Sequence, residues 1–402
     1  MRVDEKSLLD PDVQEDPYEY YRALREQAPV YRMPDGGAYV LSRYRDIQWA
    51  MSRPDLYSID LLGKAGFSMF RHPEAREVLE RNGIPRNTKL STDPPEHKGY
   101  RAIVNASFTA GRVNASAPFV QGVVDELVGA LAGRGVCEFV RDFASPLPVR
   151  VIANRLGLPP EDVPRLKRWS DDWVEPLGYA CSKEREIEIA WLGVELQRYL
   201  AGKFEEKRRA PGEDILTDLV QGRLPGGRPL PEAEAMGLAE HITVGGHETV
   251  TSALAAGLLL LIQHPEVARE LRRDPALVRN FVEEALRLES PSQGFFRYAL
   301  QDSELHGVAI PKGSMLHLRF GAANRDPEHF PDPDRLDLRR PNPGAHHCLG
   351  APLARLELTL AFRTLLERFR EMRLAPGHGP PRHVPGLSLR SLRELHVELV
   401  AR

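Results

Sequence analysis

Cysteine is scarce in this chain: Cys137, Cys181 and Cys348 are all there is in 402 residues. Three thiols so far apart offer no disulfide framework. Long apolar runs are scarce too. The longest, residues 253–262, is half of the ~20 residues needed to span a bilayer. The N-terminus, MRVDEKSLLDPDVQEDPYEYYRAL, is charged from its start and lacks the apolar stretch of a secretory signal. A net charge of −3 carries no excess of cations to meet nucleic acid. No Gly/Ser linker, low-complexity tract or internal repeat divides the chain, so residues 1–402 read as a single domain. These absences predict a soluble cytoplasmic protein with neither a nucleic-acid nor a membrane partner.

What is present is mostly helical pattern. DPYEYYRALREQAP has an Asp cap, a first-turn Pro and a Pro stop. VNASAPFVQGVVDELVGALAGRG repeats apolar residues at helical spacing and ends in Gly. Further helices are predicted over 160–174, 185–208, 232–263, 265–273, 276–289 and 352–370. Strand signals are fewer. VYRMPDGGAYVLSRY reads as a hairpin around Asp35-Gly36-Gly37, and HGVAIPKGSMLHLRF and LRELHVELV read as further strands. The fold class is mainly α with a small β portion.

The segment 232–263 is the most informative. As one helix it would be roughly 48 Å long, at 1.5 Å per residue. Its second half is apolar nearly all round and therefore buried. VGGHETVTS lies in its middle. Gly245 and Gly246 there cost about 1 kcal/mol each against alanine, and close approach of a flat ligand to bare backbone would compensate. Glu248 and Thr249 follow, where an apolar pair would pack better. Two readings are open: a kink with local hydrogen bonding, or a ligand site. A zinc-protease motif is excluded, because Thr251 stands where its second histidine belongs.

PNPGAHHCLGAPLARLELTL sets Cys348 just ahead of a helix with Pro352 in its first turn. Free N–H groups at a helix start favour a thiolate. Adjacent His346, His347 and Cys348 cannot all turn toward one zinc ion, and no second ligand pair stands at zinc spacing. A nucleophile would need a base and an oxyanion hole for which there is no signature. A small buried cysteine remains the plain alternative.

VEEALRLESPSQGFFRYAL, FPDPDRLDL and STDPPEHKGYRAIV complete a set, in order, with the two segments above. From about residue 15 to the C-terminus the chain resembles the cytochrome P-450 family of haem-thiolate monooxygenases, in particular its soluble bacterial members. The resemblance implies the cytochrome P-450 fold, with a long central helix over haem b, and makes Cys348 the axial thiolate, whose electron donation favours O–O cleavage. It implies that Glu248 and Thr249 deliver protons during oxygen activation, with Gly245 and Gly246 opening a groove over the haem. His97, Arg101 and Arg297 fall on the family's propionate partners, where charge-assisted bonds call for cations. Glu284 and Arg287 fall on its structural Glu-x-x-Arg pair, joined to the segment of Asp334 and Arg335. Gly344, His346, Cys348 and Gly350 match the family's cysteine signature, which implies a cofactor contact for His346. Pro341 and Asn342 stand where the signature has Phe and Gly, so the loop before the cysteine is several residues short.

The positions that line the substrate pocket in this family carry Phe67, Met69, Phe70, Trp173, Leu177, Val244, Phe295, Phe296, Leu387 and Leu389, with His241 one turn before Gly245. Together they imply a small or medium, mostly apolar organic substrate that receives one oxygen atom from O2. With no flavin or iron–sulfur domain on the chain, electrons are expected from NAD(P)H through a ferredoxin and a ferredoxin reductase. The rival expectation is a non-catalytic helper on the same scaffold, disabled by the short loop.

Overall fold

Proline and small capping residues start most of the principal helices in the computed structural model, which describes residues 1–34, 37–66, 68–84, 89–177, 181–341 and 348–402. Eleven helices are used below. They are α1 (Tyr18–Gln27), α2 (Pro73–Asn82), α3 (Glu96–Ser107), α4 (Ala117–Leu131), α5 (Pro146–Leu156), α6 (Val163–Val174), α7 (Lys183–Arg209), α8 (Glu232–Gly245), α9 (Glu248–Gln263), α10 (Val278–Glu289) and α11 (Ala351–Arg368). α2, α4, α5, α6 and α11 carry Pro in the first turn, where its missing N–H costs nothing. The Ser182 hydroxyl caps α7 by accepting from the Arg185 N–H. α2, α3 and α5 lie outside the predicted helices.

The strands are β1 (Val30–Arg32), β2 (Tyr39–Leu41), β3 (Tyr57–Ser58), β4 (Val136–Glu138), β5 (Phe295–Ala299), β6 (Ser303–Leu305), β7 (Val308–Ile310), β8 (Met315–Leu318), β9 (Phe369–Leu374) and β10 (His396–Ala401). The main sheet runs β1-β2-β8-β5-β3, with β2 and β8 parallel. The expected first hairpin is β1–β2, antiparallel with Val30 opposite Leu41; Asp35 and Gly36 lie outside the described residues. A second sheet runs β4-β10-β9, and β6 and β7 pair alone. Phe369 opens β9, so the predicted helix 352–370 stops at Arg368.

The expected single helix over 232–263 is two. α8 ends at Gly245 and α9 begins at Glu248, with Gly246 and His247 between them. A Cβ added at Gly246 would sit 2.6 Å from Ile152 of α5. Its bare backbone therefore makes room for a neighbouring helix. Taken together, residues 232–263 are the one segment among those described that is long and apolar enough to cross a membrane. Most of it is packed inside the fold: Leu254, Leu258 and Leu261 of α9 join Phe281 of α10 and Phe362 and Leu365 of α11 in the largest core cluster. Gly257 brings α11 close, since a Cβ there would meet the Phe362 ring at 2.4 Å. The Phe362 ring also meets Phe281 edge-on, with centroids 5.2 Å apart. This packing fixes α11, and Cys348 just ahead of it, relative to the central helix pair.

Candidate active site

Gly245, the last residue of α8, is exposed on a helix that is otherwise largely buried, and a Cβ built on it meets nothing within 4 Å. His241, one turn earlier on the same face, is exposed as well, and the protein around it lowers its pKa by desolvation. Glu248 and Thr249, both part-buried, open α9 immediately beyond. The Ser252 hydroxyl donates back to the Glu248 carbonyl at 2.9 Å, which secures the first turn after the break. Thr251 Oγ1 is buried without a hydrogen-bond partner among the described residues. Kink and open face thus occur side by side, with the two glycines serving different faces of the helix. Gly246, expected to face the cofactor, is turned to Ile152.

Cys348 is exposed, three residues before α11. A Cβ added at Gly350 would lie 4.0 Å from Sγ, an ordinary contact. Arg355, on α11, is held by Glu283 of α10, with Nη2 to Oε2 at 2.9 Å, and its guanidinium also feels the Cys348 sulfur. His346 and the shortened loop fall in 342–347, outside the described residues.

Of the three cations, Arg101 neighbours His97, and His97 shares Asp93 as a neighbour with Arg297. His97 and Arg101 lie one turn apart on α3, and Arg297 lies on β5. His97 and Arg297 both sense Asp93, whose carboxylate is fixed by the Lys64 ammonium (2.7 Å) and the Ile59 N–H (3.0 Å). Desolvation lowers the pKa of His97 and of Arg297. Arg101 donates to Asn105 at 3.1 Å. Arg297 donates to its neighbour's carbonyl, Phe296 O, at 2.9 Å, and among the described residues no carboxylate stands within ion-pair distance of it.

Glu284 and Arg287 are each 1% exposed and form a two-pronged pair, with Nε–Oε1 at 2.7 Å and Nη2–Oε2 at 2.9 Å. The remaining Arg287 donors reach the carbonyls of Asn324 (2.9 Å), Pro333 (2.6 Å) and Arg335 (3.1 Å). Arg335 therefore enters the network through its backbone. Asp334 is not in it and pairs with Arg325 at 3.0 Å. The charge that sequence reasoning missed is Arg340, whose Nε lies 3.1 Å from Glu284 Oε1.

The expected pocket residues divide. Met69, Phe70, Trp173 and Val244 form one cluster between α2, α6, α7 and α8, with the Phe70 and Trp173 rings edge-on at 5.9 Å. Trp173 packs on the bare backbone of Gly193, where an added Cβ would sit 2.3 Å from Cζ3. The β5–β8 register pairs Phe296 with His317 and Arg297 with Leu316. Strand alternation then sets Phe295, which is 45% exposed, on the Arg297 face. Phe296 takes the opposite face, packed into a cluster with Leu387. Leu389 bridges to Ser292 at the C-terminal turn. Phe67 and the side chain of Leu177 lie outside the described residues.

Comparison with known proteins agrees with this geometry. The Cytochrome P-450 family model matches residues 194–393. A vitamin D(3) 25-hydroxylase of Pseudonocardia autotrophica is 34% identical over 375 residues, covering 90% of this chain and 89% of that one. A mycinamicin IV hydroxylase/epoxidase of Micromonospora griseorubida is 36% identical, with 94% of each chain covered. A solved cytochrome P-450 structure from Chondromyces apiculatus superposes with a TM-score of 0.85 at 30% identity, over 98% of both chains.

The chain belongs to the cytochrome P-450 family. It is an oxidoreductase of the haem-thiolate class, with haem b as cofactor and electrons from NAD(P)H through redox partners. Hydroxylases and an epoxidase stand among its relatives, and the expectation of a non-catalytic helper finds no support there. The residues present fit haem. An exposed thiol at a helix start, a desolvated arginine with no carboxylate in ion-pair distance among the described residues, and a glycine face open to its surroundings match the iron, a propionate and the edge of a flat macrocycle.

Proposed function

We propose that residues 1–402 act as one haem-binding domain that inserts an oxygen atom from O2 into a small or medium, mostly apolar organic molecule. Electrons would come from a ferredoxin and its reductase. The open face at Gly245, directly beside Glu248 and Thr249, is the observation that carries this reading. Cys348 would ligate the iron, and His97, Arg101 and Arg297 would hold the propionates. The haem, when bound, supplies the oxygen chemistry, helped by electron donation from the thiolate.

Everything else falls to the chain's own groups. Thr249 Oγ1 would hold a proton beside the open Gly245 face, and the Glu248 carboxyl would replenish it. Apolar residues around Phe70, Trp173 and Phe295 keep bulk water away and orient the substrate through shape. A vitamin D(3) 25-hydroxylase and a mycinamicin IV hydroxylase/epoxidase among the relatives support oxidation of an organic molecule.

Thr249→Ala tests the reading. Haem content and substrate binding should persist, while product per NAD(P)H consumed falls and hydrogen peroxide rises. Groups of this kind contribute ~10²–10⁴-fold. Equal product yield in variant and wild type would remove Thr249 from the mechanism.

A second expectation concerns Arg297. If its partner is a propionate, Arg297→Ala strips one side of a desolvated pair, a loss worth roughly 3–5 kcal/mol when fully buried and less where water reaches the propionate. Haem transfer to apomyoglobin should be faster from the variant than from wild type. Equal transfer rates would separate Arg297 from haem retention.

A further inference from the structure

His247 fills the break between α8 and α9 and is fully buried, yet the proposed chemistry leaves it without a task. Its Nε2 lies 3.0 Å from Glu248 Oε1 and 3.4 Å from Asp171 Oδ1, which reaches in from α6. Nδ1 has no partner among the described residues, so the polar contacts of the ring run through Nε2 alone. Asp171 also accepts from the Lys167 ammonium, one turn back on α6. A charged chain therefore runs Lys167–Asp171–His247–Glu248, from the rim of α6 to the first residue of α9. From α5 the neighbour at the break is Ile152, which carries no charge. A side chain needed only to fill space would be apolar at this depth, because an imidazole with an orphaned nitrogen is costly to bury.

We propose that His247 is a positioning residue: by bridging Asp171 and Glu248 it holds the Glu248 carboxylate toward α6, so that the seating of α6 on the central helix governs proton delivery to Thr249. The inference rests on the reading of Glu248 as a proton donor, although the bridge itself does not. α6 is suited to the task because Trp173, two residues beyond Asp171, packs with Phe70 and Val244 in the apolar cluster. A substrate that shifts Trp173 therefore also pulls on Asp171.

The charges on the bridge have a pH signature. Burial pushes the His247 pKa down, but its hydrogen bonding to the Asp171 and Glu248 carboxylates outweighs this and leaves the pKa raised. Asp171 is correspondingly lowered; burial opposes this, but its bonds to His247 and Lys167 prevail. For a raised histidine the stabilisation is complete below its ordinary value of about 6.5. It is lost as pH rises through the raised value, where the bridge loses its positive charge.

The test uses histidine-labelled holoprotein in the diamagnetic ferrous–carbon monoxide form. NMR titration should show one histidine, missing in His247→Gln, with a midpoint above the ordinary value. Asp171→Asn should lower that midpoint by about one to three pH units, and EDTA should leave it unchanged. Product per NAD(P)H should change with pH through the same midpoint in wild type but not in His247→Gln. A titration indifferent to Asp171→Asn would overturn the bridge. A shift on adding EDTA would mean that the three side chains hold a metal ion instead, and would overturn it too. The same pH step in His247→Gln would overturn the positioning role. Wild-type product yield in Glu248→Gln would defeat the proton role of Glu248, and the positioning role with it, while the titration still decides the bridge on its own.

Discussion

Arg287→Ala is expected to destabilise the folded protein by roughly 3–5 kcal/mol, the usual cost of removing one partner from a buried ion pair. The buried Glu284 carboxylate would keep, among the described residues, Arg340 and the Asp337 N–H as partners. Three carbonyls, those of Asn324, Pro333 and Arg335, would lose their donor at the same time. Lysine should not rescue the site, because its single ammonium cannot present the five directed donors of a guanidinium. Arg335→Ala is the control: that residue lends only its backbone, so the change should stay within about 0.5 kcal/mol. Urea unfolding of the three variants and wild type checks this. Comparable losses for Arg287→Ala and Arg335→Ala would show that the network is held by something other than the guanidinium.

Cys348→Ser is expected to abolish monooxygenase turnover while leaving the fold intact. The thiol is exposed, and the helix behind it is secured by Phe362 against Gly257 and by Arg355 against Glu283, none of which involves the sulfur. Far-UV circular dichroism should therefore match wild type, while the urea midpoint should fall only by the stabilisation that tightly bound haem supplies. A hydroxyl stays protonated at neutral pH and does not supply the electron density of a thiolate. Haem should be held weakly or in another ligation state, with substrate oxidation at background. Turnover near the wild-type rate would make another group the ligand.

How far the sequence foretold this depends on how local each feature is. The Glu284–Arg287 pair was identified through the family resemblance, while the proline-started helix behind Cys348 is a local pattern and was legible. So was the disturbance at Gly245 and Gly246, since two glycines in a buried helix signal close approach. What they approach was not legible: Ile152, which packs on Gly246, is 94 positions away in the chain, and only the folded chain tells the two glycines apart. Arg340 escaped notice because its partner, Glu284, lies 56 positions earlier. The Asp171–His247 contact spans 76 positions and involves residue types that a surface helix carries routinely. Short strands such as β3 and β4 exist through pairing with distant partners, and two or three residues give no period to read. Phe296 was assigned to the pocket with Phe295, although strand alternation sends neighbours to opposite faces once the register with β8 is known.

The most direct measurement is the absorption spectrum of the dithionite-reduced protein under carbon monoxide, for wild type and Cys348→Ser. The account predicts the strongly red-shifted Soret band of a thiolate-ligated ferrous haem in wild type, and its absence in the variant. A wild-type protein that binds haem without that band, or a variant that retains it, would contradict the assignment of Cys348 as the iron ligand.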